Sequence, residues 1–364
     1  MRVLALTKAI AATFLIAVMP AVAQEPPAVA AASGAEKARL TDLIAKAKTE
    51  GSVSNIETIM QPPTTDAMAA AFRTKYGLPA SFKVNSISMA PGQLITRLQQ
   101  ELQAGKLTFD TGAISSIPWV MARVKEGKIA KYDSPEYAAY RKPIDMGLAQ
   151  DGHFAFTGGY YFVPMWNTET LKFDGKSYKD VLTIPDIAGR LSGSDPSVSD
   201  PPLMTYMGLR TIFPVSYFEE IAKLKYNFLY KSEQVAQRLV TGEDLLALSG
   251  MPTRAHQANA RGAKIKFMDP EEGIVLLTQS FFVLEAAPRP AAARLWFDFV
   301  LSEEGQKILG EKEYTISGRA NFKSPVPDHV PTLDQLKPIK IDWTKVTEAD
   351  MQKSRDEWKT IFKK

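Results

Sequence analysis

From Leu40 to Ser116 the chain alternates helix-period and strand-like segments, and this pattern limits its fold more than any other feature. Leu40, Leu43, Ile44 and Ala47 recur at helical spacing, and Gly51 closes that helix. A strand-like run at 53–60 follows, interrupted by Gln61-Pro62-Pro63. Thr65 is placed to cap a second helix with Met68, Ala71, Phe72 and Tyr76 on one face and Gly77 at its end. Phe82, Val84 and Ser86 read as another strand. Pro91 opens a helix bearing Leu94, Ile95, Leu98 and Leu102, closed by Gly105, and 108–116 reads as a third strand. A β-α-β-α-β run with such short loops predicts a parallel sheet covered by helices. In such sheets ligands sit beyond the carboxyl ends of strands, beside helix N-termini. Gln61, Ser88 with Met89, Ser115 with Ser116, and the 158–161 stretch occupy those positions.

The alternation resumes later. Residues 154–167, around Gly158-Gly159, read as strand; 218–229 and 232–239 as helix; 263–268 and 274–284 as strand; 291–301 and 303–310 as helix. A Pro-rich stretch at 327–341 reads as extended, and 348–362 as a last helix with Met351, Trp358, Ile361 and Phe362 on its apolar face. At 364 residues the chain suits two α/β domains.

The N-terminus reads as an export signal. Residues 1–8 carry two positive charges, 9–18 (AIAATFLIAV) are apolar, and Pro20 with Ala21-Val22-Ala23 forms a small-x-small cleavage pattern. Cleavage is expected after Ala23, with 1–23 as signal peptide, 24–35 as a flexible lead-in and a periplasmic destination. Without Arg2 and Lys8 the mature chain carries a net charge of +2, no electrostatic case for nucleic acid. The sequence holds no cysteine and three histidines, which excludes disulfides and thiolate chemistry and leaves little for a metal centre. No cofactor and no metal are expected. There is no G-x-S-x-G, S-x-x-K, G-x-G-x-x-G, Walker A or H-E-x-x-H pattern, so the expectation is a binder and not an enzyme.

Several segments, in order, resemble the extracellular solute-binding proteins of ABC transporters, in the branch that includes ferric-ion, polyamine, thiamine and phosphonate binders. They are LIAKAKTEGSV (43–53), AAFRTKYG (70–77), LITRLQQELQAGKLTFD (94–110), MWNT (165–168), VTGE (240–243), DPEEG (269–273), AAPRPAAARLWFDFVLSEEGQ (286–306) and YTISGRANF (314–322). The segment at 286–306 carries most of the weight. Its residues also have scaffold reasons: Pro288 and Pro290 stop a strand and start a helix, and Ser302 is placed to cap the next.

The resemblance implies a two-lobe α/β periplasmic-binding-protein fold. Each lobe would be a mixed, mostly parallel sheet flanked by helices, joined at a hinge of crossing strands. Residues 36–157 plus 274–331 would form lobe 1, 158–273 lobe 2, and 332–364 a C-terminal extension. Closure on a small molecule would present a surface to a membrane permease. A monomer is expected separately, because nothing in the sequence suggests a large apolar patch. Ferric-binding members carry adjacent tyrosines soon after the "GE" element. This chain has none between Tyr230 and Tyr314 and places Ser249-Gly250-Met251-Pro252-Thr253-Arg254 there. Arg254 suits a bidentate clamp on a carboxylate or phosphonate, with hydroxyls from Ser88, Ser115 and Ser116 and further contacts from Gln61. Asp195 and Asp200 suit an amine, and Tyr160 and Tyr206 suit stacking. The expected ligand is therefore a small organic anion, alone or with an amine. Ferric ion or a polyamine is the alternative within the fold, and a ligand sensor for a membrane kinase or chemoreceptor is the alternative class.

Overall fold

A computed structural model describes residues 25–364. The expected signal peptide lies outside the described residues. Its strands are β1 (Ser52–Glu57), β2 (Lys83–Ser88), β3 (Thr111–Ile114), β4 (Phe154–Tyr160), β5 (Val163–Asn167), β6 (Leu191–Ser194), β7 (Asn227–Leu229), β8 (Leu246–Gly250), β9 (Ile265–Phe267) and β10 (Leu277–Val283). They form two five-stranded sheets, ordered β2-β1-β3-β10-β4 and β7-β6-β8-β5-β9. In each sheet one group of strands pairs in parallel and the rest antiparallel.

The helices are α1 (Pro27–Ala30), α2 (Gly34–Glu50), α3 (Pro62–Tyr76), α4 (Pro91–Ala104), α5 (Ile117–Lys125), α6 (Arg141–Asp145), α7 (Asp200–Arg210), α8 (Val215–Lys223), α9 (Ser232–Thr241), α10 (Pro252–Asn259), α11 (Pro290–Leu301), α12 (Glu303–Glu313) and α13 (Glu348–Phe362). Glycines end several of them as the sequence suggests: Gly51, Gly77 and Gly105 all take the left-handed conformation that a β-carbon resists. α11 is buried nearly all round and packs on α2, with Trp296 and Phe299 set against Phe72 of α3. Ser302 caps α12 by accepting a hydrogen bond from the Gly305 N–H.

Several sequence expectations change. Residues 24–35, read as a flexible lead-in, contain α1, with Val29 buried and Pro26 against Gly77. α3 begins at Pro62, not at Thr65, because proline is pre-set for the first helical turn and Gln61 takes the cap position. The 218–229 segment splits into the end of α8 and the edge strand β7. The 154–167 strand breaks at 161–162: Gly159 and Tyr160 still pair with β10 in the first sheet, and Val163 opens β5 in the second. The change of lobe therefore falls after Tyr160, not at Gly158. Gly158 and Gly159 instead allow close approach, since β-carbons there would crowd Thr315, Phe156 and Ile316. The return crossing runs through 268–276, between β9 and β10. No helix among the described residues is long and apolar enough to cross a membrane.

Candidate functional site

A cleft of about 720 Å³ lies between the two sheets. The first lobe supplies the loop after β1 from Thr58 to Pro62, the end of β2 with the start of α4, Tyr160 and Gln279. The second supplies Ser194, the start of α7, residues 230–233, Met251 and Arg254. The parallel strand ends feed directly into helix starts. The cap positions of five helices of the described chain therefore line one cavity: Gln61 (α3), Ala90 (α4), Ser199 (α7), Lys231 (α9) and Met251 (α10). At none of the five does the cap residue's own side chain accept from a backbone N–H. Pro62, Pro91 and Pro252 sit at first-turn positions, where their missing donors cost nothing. The positive ends of these helices favour negative charge in the cleft.

Arg254 is the most buried cation of the wall, with its side chain 6% exposed. Its Nη1 donates to Gln257 Oε1 at 2.8 Å and its Nε to Ser232 Oγ at 3.2 Å. Nη2 lies 2.8 Å from Glu233 Oε1. The guanidinium is thus held in place, and Glu233, half exposed at the start of α9, occupies part of its charge.

Gln61, Ser88 and Tyr160 also line the cleft. The Gln61 N–H donates to Glu313 Oε1 at 2.7 Å, which ties the start of α3 to α12. Ser115 lies one layer behind: its hydroxyl accepts from Tyr160 Oη and, at 2.8 Å, from Gln279 Nε2, so it orients two lining residues without lining the cleft itself. Burial pushes the Tyr160 hydroxyl well above its ordinary pKa. Ser116 is buried at the start of α5 and does not reach the cavity.

Two expected contacts point elsewhere. Asp200, in the first turn of α7, accepts from Arg355 Nη2 at 2.6 Å and faces α13. Tyr206 packs between Phe218 and Trp358, with ring centroids 4.8 and 5.1 Å away, and donates to the Glu357 carboxylate. On α7 the cleft side is taken by Ser199, Pro201 and Pro202, which leaves these two on its back. Asp195 is likewise paired, with Lys364 at 2.6 Å. Of the Tyr160-Tyr161 pair only Tyr160 lines the cavity.

Sequence reasoning missed Gln279, Thr58, Lys231 and Glu57. Gln279 stands out only as the longest side chain of a polar Thr278-Gln279-Ser280 step inside an otherwise apolar run. Glu57 ends β1, 2% exposed, and its Oε2 accepts from the Ile59 and Met60 N–H groups. It thereby shapes the loop that carries Gln61. Burial, opposed by these hydrogen bonds, pushes its carboxyl up to about 7. Among the described residues there is no cluster of three or more His, Cys, Asp or Glu side chains that could hold a metal ion.

Among solved structures, the chain is similar to a substrate-binding protein of an ABC transporter from Agrobacterium tumefaciens. The identity is 15% and the TM-score 0.71, over 85% of this chain and 94% of that one. It is also similar to the periplasmic binding protein AfuA from Actinobacillus pleuropneumoniae with exogenous fructose-6-phosphate bound (18%, TM-score 0.73, 86% and 99%). A third is iron-bound HitA from Pseudomonas aeruginosa (19%, TM-score 0.65, 85% and 99%). At these identities the likeness carries the fold, which is the two-lobe periplasmic-binding-protein fold. No curated protein sequence matches the chain. The family model for bacterial extracellular solute-binding proteins matches residues 107–345, about two thirds of the chain, and the protein belongs to that family.

Proposed function

We propose that this protein is the exported solute receptor of an ABC importer and that its cleft closes on a small organic anion bearing hydroxyl groups. A phosphate, phosphonate or carboxylate would be the anionic end. The carrying observation is the convergence of five helix starts on one cavity that also holds Arg254 and Lys231. Thr58, Ser86, Ser88, Ser194 and Ser232 add hydroxyls around the cavity, and Asp66 and Glu233 offer acceptors for the ligand's own hydroxyl or amine groups. The ligand's anion would share Arg254 with Glu233. The likeness to a protein whose structure has exogenous fructose-6-phosphate bound agrees with this class.

Binding without turnover is the expected activity, followed by presentation of the closed form to a permease. A thermal-shift screen of residues 24–364 tests the reading. Sugar phosphates, phosphonates and small carboxylates are the panel, with polyamines, thiamine and ferric citrate as contrasts. A ligand at about 100 times its dissociation constant adds roughly 2.7 kcal/mol, a shift of a few degrees. A shift with an anion supports the reading. A shift only with ferric citrate or a polyamine replaces the ligand class and leaves the receptor role.

A further inference from the structure

The C-terminal extension begins on one lobe and ends on the other. Asp334 pairs with Lys142, Asp342 lies against Gly147, and the turn at Trp343–Lys345 packs on α5, all on the first lobe. In between, Ile339 and Ile274 exchange a backbone hydrogen bond, with the Ile339 N–H donating at 2.8 Å, so the segment runs beside the return crossing. The chain then enters α13, which lies on α7 and α8 of the second lobe. Trp358 anchors it, 5% exposed and set edge-on to Tyr206 and Phe228. The described chain therefore passes between the lobes three times: at 161–162, at 268–276 and at 346–348. The family match ends at residue 345, so the third passage is not part of the matched family domain.

α13 also grips one loop of the cleft from behind. Arg355 Nη1 donates to the Pro196 carbonyl at 2.7 Å and Nη2 to Asp200 Oδ1 at 2.6 Å. Lys364 Nζ reaches Asp195 Oδ2 at 2.6 Å. Asp195 and Pro196 belong to the β6–α7 loop and Asp200 opens α7, and the other side of this segment presents Ser194 and Ser199 to the cavity. The N-terminal turn of the same helix holds the first lobe, where Glu348 Oε2 meets Arg123 Nη2 of α5 at 3.1 Å.

We propose that residues 346–364 are a strap that positions the β6–α7 loop of the cleft and limits how far the two lobes open. Glu348, toward the first lobe, and Arg355, toward the second, act as positioning residues. The proposal rests on the two-lobe receptor reading, but its test uses no ligand, so it stands or falls separately from the ligand class.

The chain has no cysteine, so Gln100→Cys on α4 and Gln237→Cys on α9 give one clean pair of spin labels, one per lobe. Inter-label distances would be measured by pulsed electron resonance in the ligand-free protein. Comparison is with Glu348→Ala, with Arg355→Ala and with a chain ending at Val346. All three should shift the distribution to longer, broader distances, with Arg355→Lys restoring part of the parent distribution because one donor head still reaches the loop. The melting temperatures of the point variants should stay within a few degrees of the parent, which separates opening from unfolding. Where circular dichroism shows that the shortened chain has lost its fold, the point variants decide. Distributions that superimpose on the parent in both point variants overturn the proposal.

Discussion

Gly92, in the first turn of α4, stands so close to the carbonyl oxygen of Val198 that a β-carbon on residue 92 would lie 2.7 Å from it. Gly92 belongs to the first lobe and Val198 to the β6–α7 loop of the second, so this is where the lobes touch at the mouth of the cleft. On the cleft's other flank, Gln257 Nε2 of the second lobe reaches Glu313 Oε2 of the first at 3.4 Å. Together these contacts bring the two lobes together on both flanks of the cleft. Contacts under about 3 Å to a backbone carbonyl leave no room for a side chain.

Gly92→Val is therefore expected to hold the lobes apart. The obstacle acts between lobes and not within one, so the melting temperature should change by only a few degrees. Small-angle scattering should give a larger radius of gyration than the parent. An unchanged radius would mean that the lobes do not meet at this point in solution.

Glu57 gives the protein a specific pH dependence. Its carboxyl is raised from 4.5 to about 7 by burial, so the folded state holds the proton more tightly than the unfolded chain. The stability this supplies is complete below about 4.5 and is lost as pH rises through about 7, on the order of 3 kcal/mol. Glu57→Gln keeps an acceptor for the Ile59 and Met60 N–H groups and removes the titration. Thermal melts from pH 5 to pH 8 should fall less steeply in this variant. Asp298, raised to about 6 by its own burial, leaves a residual slope of the same sign. Parallel curves for parent and variant would show that Glu57 titrates near its ordinary value.

Trp358→Ala should release α13. Removing this ring, which stacks on Phe362 at 3.8 Å and meets Tyr206 and Phe228, costs about 3–5 kcal/mol of local packing. Hydrogen exchange should accelerate over 348–362 while β1, β3 and β10 keep their protection. Uniform acceleration would mean that α13 is not a separable unit.

The parts legible in the sequence were those set by local rules. Hydrophobic spacing with Gly51, Gly77 and Gly105 marked α2, α3 and α4, and strand ends pointed to the loops carrying Gln61 and Ser88. Direction across the chain was not legible. Asp200 and Tyr206 sit on an element that does reach the cleft, but their facing depends on α13, some 150 residues later, whose Arg355 and Glu357 draw them to the opposite side. The change of lobe at Tyr160 was hidden for a similar reason. β4 and β5 form one apolar run, and only pairing with β10 on one side and β8 on the other divides it. Arg254 was placed by its position after the "GE" element, whereas its pairing with Glu233 comes from α9 packing beside α10.

The most direct test of the receptor account is calorimetric titration of residues 24–364 with the anion that gives the largest thermal shift, for the parent and for Arg254→Ala. One saturable site per chain, no consumption of the anion, and binding weakened about 10- to 100-fold in the variant are predicted, as expected for losing a buried charged hydrogen-bond donor worth roughly 1.5–3 kcal/mol. Binding of equal strength in the two proteins, or chemical turnover of the anion, would contradict it.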